Sequence, residues 1–284
     1  MKRLRAILFQ QSDAAWRAGA TRLALAGAIA VTIAKLPKGR FFQEHRDTME
    51  RLRGRPGRLP PLSARGYELL RAGTLASVAV WGVTGRRRAG LLAAAQFFWL
   101  NGHVAEFFPG SWNYNSHLNV NLLVLGAVDT SSEFALKPRP ATADGVRRQS
   151  MALAFMQLGS GVLYAQSALS KLRYGGSEWF TSGRTLEGSI ALLGTPAGHR
   201  VYPHKSLIKT MSWGTLAFEL SFLPALVLGW RHRKALGVAA VAFHLAVSRF
   251  MGISFWHLWC QYPALFIVPS PGERALRTSR NADR

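Results

Sequence analysis

Gln157, Tyr164 and Lys171 stand seven residues apart in a largely uncharged stretch. A helical period of 3.6 residues puts all three on nearly one face. Residues 149–170 carry no formally charged side chain. At about 1.5 Å of rise per residue they are long enough to cross a hydrocarbon core about 30 Å thick, so Lys171 falls at a membrane boundary. The chemistry such a lysine offers is proton abstraction. Desolvation disfavours an ammonium, so an amine held in an apolar pocket becomes a usable general base. His244, in a later apolar stretch, can donate to or accept from a substrate oxygen without being charged. Together they would take a proton from a weak, lipid-soluble acid. The plain alternative is a lysine snorkelling to the headgroups.

Other polar residues interrupt the apolar stretches. His103 and Glu106 stand three apart, on one helical face. Trp112-Asn113-Tyr114-Asn115-Ser116-His117 is followed by Asn119 and Asn121, and the later stretches add Glu219, Arg249, His257 and Gln261. Asparagines inside spans often tie helices together by hydrogen bonds. Glu219 is expected as a ligand contact or as a counter-ion to Arg249 or Lys171. Arg249 is expected to bind substrate or snorkel to a lipid phosphate, and His257, between Trp256 and Trp259, reads as an interfacial belt residue. Nucleophile elbows, zinc-protease helices and phosphate-binding glycine loops are absent from the sequence, and no metal is expected. The single cysteine, Cys260, excludes an intramolecular disulfide and reads as a small buried side chain.

The elements that must position these groups are helices. The 284 residues carry 36 Lys and Arg against 14 Asp and Glu, a balance that would suggest nucleic acid. The basic residues, however, gather at 2–5, 86–88, 147–148, 231–234 and 274–284, between long uncharged runs. That is the pattern of a multi-pass membrane protein whose basic clusters flank its spans and meet anionic lipid, and no nucleic-acid-binding motif accompanies it. Spans are expected at 22–36, 69–85, 89–108, 115–128, 150–172, 211–230, 235–250 and 254–268. With a cytoplasmic N-terminus and an uncleaved first span, most basic clusters fall on one side, as the positive-inside rule requires. The basic connection 37–65 is the exception and is expected to lie outside the bilayer, and 269–284 forms an Arg-rich cytoplasmic tail. Residues 179–193 are amphipathic and too charged to span, which predicts an interfacial or re-entrant helix.

Four segments resemble the horizontally transferred transmembrane (HTTM) domain family, to which the vitamin K-dependent gamma-glutamyl carboxylases are related. Thr21-Arg22-Leu23-Ala24-Leu25-Ala26-Gly27 is similar to the family's opening arginine-plus-apolar helix. Ser111-Trp112-Asn113 through His117-Leu118 resembles the carboxylase Ser-Trp-Asn-Asn-His-Ser-Tyr-Leu stretch, with Asn115 at the family histidine when no gap is used and His117 there after a two-residue shift. Residues 168–172, followed by Trp179 and Gly183, resemble its lysine-leucine, tryptophan and glycine pattern. Glu219-Leu220-Ser221, Phe243-His244 and Phe250-Met251-Gly252-Ile253 resemble its Asp-Leu-Ser and Phe-His segments. The likeness covers nearly the whole chain. It implies that Lys171 is the base that deprotonates a vitamin K hydroquinone-like quinol and that His244 is a hydrogen-bonding group of the pocket. No large soluble domain follows the last span, so carboxylation of a protein substrate is not expected.

The resulting reading is an all-α, polytopic integral membrane bundle of about eight helices, one transmembrane domain in a bacterial inner membrane with both termini cytoplasmic. Its pocket would gather Lys171, His244 and Tyr164 with His117 or Asn115, and Trp112, Gln157, Trp179, Arg249 and Glu219 would contact the substrate. The leading function is a membrane enzyme acting on a reduced quinone or other lipidic weak acid, with carboxylase- or epoxidase-like chemistry. The alternatives are a non-enzymatic protein that binds lipid or quinone, and a proton-coupled transporter.

Overall fold

The computed structural model describes residues 2–53, 62–227 and 232–267, and every regular element among them is a helix. Two compact units meet in the chain at Ala154 and Phe155. The first contains α1 (Lys2–Phe9), α2 (Ala14–Ala34), α3 (Gly39–Glu44), α4 (Arg46–Arg53), α5 (Ala64–Thr84), α6 (Arg87–Phe107), α7 (Pro109–Gly126) and the opening of α8 (Ala143–Gly175). The second takes the rest of α8, then α9 (Glu178–Thr181), α10 (Arg184–Leu193), α11 (Pro196–Val201), α12 (Lys205–Val227) and α13 (Arg233–Met251). A 3-10 helix (Trp256–Gln261) and α14 (Tyr262–Leu265) follow.

In the first unit α5 packs on α2, α6 on α5, and α7 on both α6 and α2. The hydroxyl of Ser63 caps α5 by accepting from the Gly66 amide at 3.0 Å, and Gly85 ends it in the left-handed region at φ 65°. Where α6 meets α7 the backbones nearly touch: a Cβ on Gly126 would lie 2.9 Å from the Gly90 carbonyl. Only glycine permits that approach. Arg22 is fully buried within apolar α2, and its hydrogen bonds account for it. The guanidinium donates to the carbonyls of Gly82 at 3.0 Å, Glu133 at 2.9 Å, Phe134 at 2.6 Å and Thr130. One side chain thus satisfies the end of α5 and the connection after α7, where unpaired carbonyls would be costly away from water.

In the second unit α12 packs on α9, α10 and α13, and α13 packs on α10 and α11. The amphipathic segment expected as one helix over 179–193 is two, α9 and α10. Gly183 breaks it at φ 75°, and a Cβ there would lie 3.0 Å from the Lys209 Cα of α12. α11 then ties off α13: the Thr195 amide and hydroxyl donate to the carbonyls of Phe250 at 3.1 Å and Arg249 at 2.6 Å.

α2 and α13 are long and apolar enough to cross a membrane. The expected span over 254–268 is corrected: in its place stand the 3-10 helix and α14, too short and too broken to be one spanning helix. Proline at 263 and the run of bulky rings oppose a continuous α-helix there. Residues 54–61 of the basic connection and the tail 269–284 lie outside the described residues, and the remainder of that connection contains α3 and α4.

Candidate functional site

α8 has two unlike faces in the second unit. Phe155, Leu158, Val162 and Leu169 are exposed, whereas Gln157, Ser160, Tyr164 and Ala168 are buried. Gln157, Ser160 and Tyr164 therefore point inward with the small alanines, and those large apolar side chains, with Gln166, point outward.

Near the end of α8 the buried face meets α12. Lys171 Nζ donates to Glu219 Oε1 at 2.7 Å and Oε2 at 2.9 Å. It also donates to Ser167 Oγ at 2.7 Å, and Ser167, one turn earlier, donates to Glu219 Oε1 at 3.0 Å. The Glu219 side chain is 4% exposed and that of Lys171 24%. A carboxylate so deeply buried needs this partner, because an unpaired charge there would cost several kcal/mol. The Trp179 ring lies 5.7 Å from Nζ, within cation–π range. Gly175 makes room for that indole, which a Cβ at 175 would strike, and Trp179 is held by Ser212, whose hydroxyl donates to its carbonyl at 2.5 Å.

A second polar group joins α8 to α13 and α14. His244 Nε2 lies 2.9 Å from Tyr164 Oη, and His244 Nδ1 lies 3.1 Å from Tyr262 Oη. Tyr164 is stacked on Phe222 with ring centroids 4.0 Å apart, which fixes the position of its hydroxyl oxygen.

Both groups border one cavity of about 330 Å³. Lys171, Glu219, Ser167, Tyr164, His244 and Trp179 contribute to its wall, which is otherwise mainly apolar, with Leu163, Leu186, Phe243, Val247, Met251, Ile253, Phe255 and Leu258. An apolar chamber with a few convergent polar atoms is the usual form of a small-molecule site. Chemically, this one can orient a hydroxyl or carbonyl on an otherwise greasy molecule and exchange a proton with it.

Of the residues expected from the sequence, Lys171, His244, Tyr164, Trp179 and Glu219 are brought together here. Gln157 is not in the wall: its amide donates to the Ala264 carbonyl at 3.0 Å. That bond supplies a partner to the backbone of α14. Arg249 is exposed and its carbonyl is occupied by Thr195. Asn115 and His117 belong to α7 in the first unit, where the Asn115 amide donates to Asn101 Oδ1 at 3.3 Å. Trp112 also lies in α7, but its side chain is outside the described residues. His257, expected in an interfacial belt, is buried instead, and its carbonyl accepts from the Cys260 thiol at 3.0 Å. His103 is packed among Phe42, Tyr67 and Phe107.

Sequence reasoning missed Ser167 and Tyr262. Ser167 stands four residues before Lys171, a helical spacing that marks it as a neighbour. Tyr262 had no such signal, since it reaches His244 from a segment without regular period.

Set against known proteins, the chain matches no family model, no curated protein and no solved structure.

Proposed function

We propose that the chain is a multi-pass membrane protein of the HTTM kind, resembling the vitamin K-dependent carboxylases, and that its cavity binds a quinol or similar lipid-soluble weak acid and takes its proton. The observation that carries this reading is the Ser167–Lys171–Glu219 cluster set into the wall of an otherwise mainly apolar chamber. Deprotonation balances on the pair. The ligand O–H yields its one proton to the Glu219 carboxylate of the ammonium–carboxylate pair, which ends as an ammonium and a carboxylic acid, and the ligand oxyanion remains beside the Lys171 ammonium. Low polarity in such a chamber strengthens that attraction.

The outward apolar stripe of α8 and the exposed Val238, Val241 and Leu245 of α13 support the membrane reading, because in lipid the outer surface is the apolar one. Seven of the helices among the described residues have at least 18 residues, α2, α5, α6, α7, α8, α12 and α13. The segment after α13 supplies an eighth crossing in broken form. Phe266 packs against Gly237 near the start of α13, where a Cβ would lie 3.0 Å from Phe266 Cβ, so the chain runs back along most of that helix. Extended, 3-10 and α backbone together give the segment a path of about 30 Å. Irregular backbone is tolerated at that depth where protein or a cavity surrounds it, and His257, Leu258, Cys260, Gln261, Ala264, Leu265 and Phe266 are buried. An even number of crossings puts both termini on one side, which in this reading is the cytoplasmic side of a bacterial inner membrane, as the positive-inside rule favours.

A second reading, ligand binding without turnover, is favoured by one observation: the Lys171 amine and both His244 ring nitrogens already have protein partners. Purified protein in lipid nanodiscs, supplied with a prenylated naphthoquinol, separates the two. Under the enzyme reading the wild type consumes oxygen in the presence of the quinol, and Lys171→Ala binds the quinol but does not. Quinol binding without oxygen uptake in the wild type leaves the binding reading, and no quinol binding refutes both.

A further inference from the structure

His244 is placed between two tyrosine hydroxyls, one on each ring nitrogen. Tyr164 borders the cavity, and Tyr262 stands behind the imidazole, outside the wall. A neutral imidazole has one N–H donor and one acceptor nitrogen, whereas a tyrosine hydroxyl can donate and accept. The chain Tyr164–His244–Tyr262 is therefore satisfied in either of two directions. When Nδ1 carries the proton, Nδ1–H donates to Tyr262 and Tyr164 donates to Nε2, leaving a Tyr164 lone pair facing the cavity. When Nε2 carries it, Nε2–H donates to Tyr164 and Tyr262 donates to Nδ1, so the Tyr164 O–H is free to turn toward the cavity. Both arrangements hold the same three protons. Only the imidazole proton changes nitrogen while the two hydroxyls rotate.

We infer that this chain is a reversible hydrogen-bond element that lets Tyr164 accept from a ligand hydroxyl or donate to a ligand carbonyl, so that the cavity takes both the reduced and the oxidised form of an uncharged lipid. Tyr164 is the ligand contact and Tyr262 the positioning residue that acts through His244. The inference rests on the cavity being a site for a lipid-soluble hydroxyl compound. Its charge balance fits an uncharged ligand, since the one cation and the one carboxylate in the wall, Lys171 and Glu219, are paired to each other. The rigid stacking of Tyr164 on Phe222 leaves hydroxyl rotation and imidazole tautomerism as the free variables.

The test uses the full-length protein with ¹⁵N-labelled histidine in nanodiscs, its His244 signals assigned by their loss in His244→Gln, and two probes, farnesol and the ketone geranylacetone. Binding is followed separately by equilibrium dialysis. The expected result is a proton on Nδ1 with farnesol and on Nε2 with geranylacetone. Tyr164→Phe should weaken both probes by about fivefold, the worth of one buried hydrogen bond. Tyr262→Phe leaves the Nδ1–H without an acceptor, so it should weaken farnesol by about fivefold while geranylacetone changes less than about twofold. The same protonated nitrogen with both probes, or an equal effect of Tyr262→Phe on both, overturns the relay while leaving the cavity as a binding site. Binding of neither probe overturns the cavity reading and the relay with it.

Discussion

Removing either partner of the Lys171–Glu219 pair should destabilise the second unit, and the two losses should be unequal. Lys171→Met leaves the Glu219 carboxylate, 4% exposed, without its cation. Stranding a buried charge costs about 3 to 5 kcal/mol. Glu219→Gln instead leaves an amine whose side chain is 24% exposed and whose stem can swing its head toward water. The amide introduced by that substitution still offers Lys171 an oxygen, so about 1 to 2 kcal/mol is expected. The double variant carries neither charge, so its loss should fall short of the sum of the single losses by about 2 kcal/mol. Denaturant unfolding in detergent, followed by tryptophan fluorescence, measures all four proteins. If the two single losses add to within about 0.5 kcal/mol, the residues are not coupled and the pair has been misread. If Glu219→Gln is the more damaging, the argument from burial fails.

Three further outcomes follow from the fold. Arg22→Met should destabilise the first unit by about 3 kcal/mol or more, because several carbonyls lose their donor at once, and thermal unfolding in detergent reads the loss. Gly183→Ala should cost about 1 to 2 kcal/mol through the left-handed backbone and the approach of Lys209, whereas Gly188→Ala, in open space within α10, should be neutral or stabilising in the same assay. The Lys205 ammonium, donating to Glu187 Oε1 at 2.6 Å, holds that carboxyl below the usual carboxylate range. A lowered folded-state value means that its stabilisation is present above the ordinary range and lost as pH falls through the lowered one. Limited proteolysis of the α10–α11 region should therefore quicken on acidification in the wild type, and Lys205→Met should remove that pH dependence.

Long apolar runs made the major helices legible. The expected spans 69–85, 89–108 and 235–250 coincide with α5, α6 and α13 to within a few residues except at the start of α5, and period 3.6 placed Gln157, Tyr164 and Lys171 on one stripe. Starts were less legible: α2 opens at Ala14, eight residues before the expected span, and α7 at Pro109, six before, because a hydropathy criterion discards turns that carry Arg17 or the asparagines. Tertiary partners decide those turns. Glu219 was legible as a counter-ion but not its choice of cation, since Lys171 and Arg249 both carry the charge and only the crossing of α8 with α12 brings one of them within 2.7 Å. The chain after α13 was legible as an apolar segment but not as a broken one, for a different reason. Its apolar composition satisfies a span, yet its hydrogen bonds are made partly by side chains on α8, Gln157 to the Ala264 carbonyl and Ser160 to Gln261, and no local pattern records a partner about a hundred residues away.

That broken segment is also what makes the site. Ile253, Phe255 and Leu258 supply cavity wall, and Tyr262 supplies the second hydroxyl on His244. A continuous helix over the same residues would need a backbone partner at each carbonyl from its own segment and would have no use for the Gln157 amide. The inward polar stripe of α8 therefore divides into two tasks along its length. Gln157 bonds the backbone of α14 and Ser160 the Gln261 side chain, and Tyr164, Ser167 and Lys171, one to three turns further on, face the chamber that this irregularity leaves open. Gln157→Leu should accordingly disturb the return of the chain and lower stability by about 1 kcal/mol, the worth of one buried hydrogen bond, and it should weaken ligand binding only as far as it unfolds the wall. A variant that keeps full stability yet loses the ligand would place Gln157 back among the binding residues and undo the division.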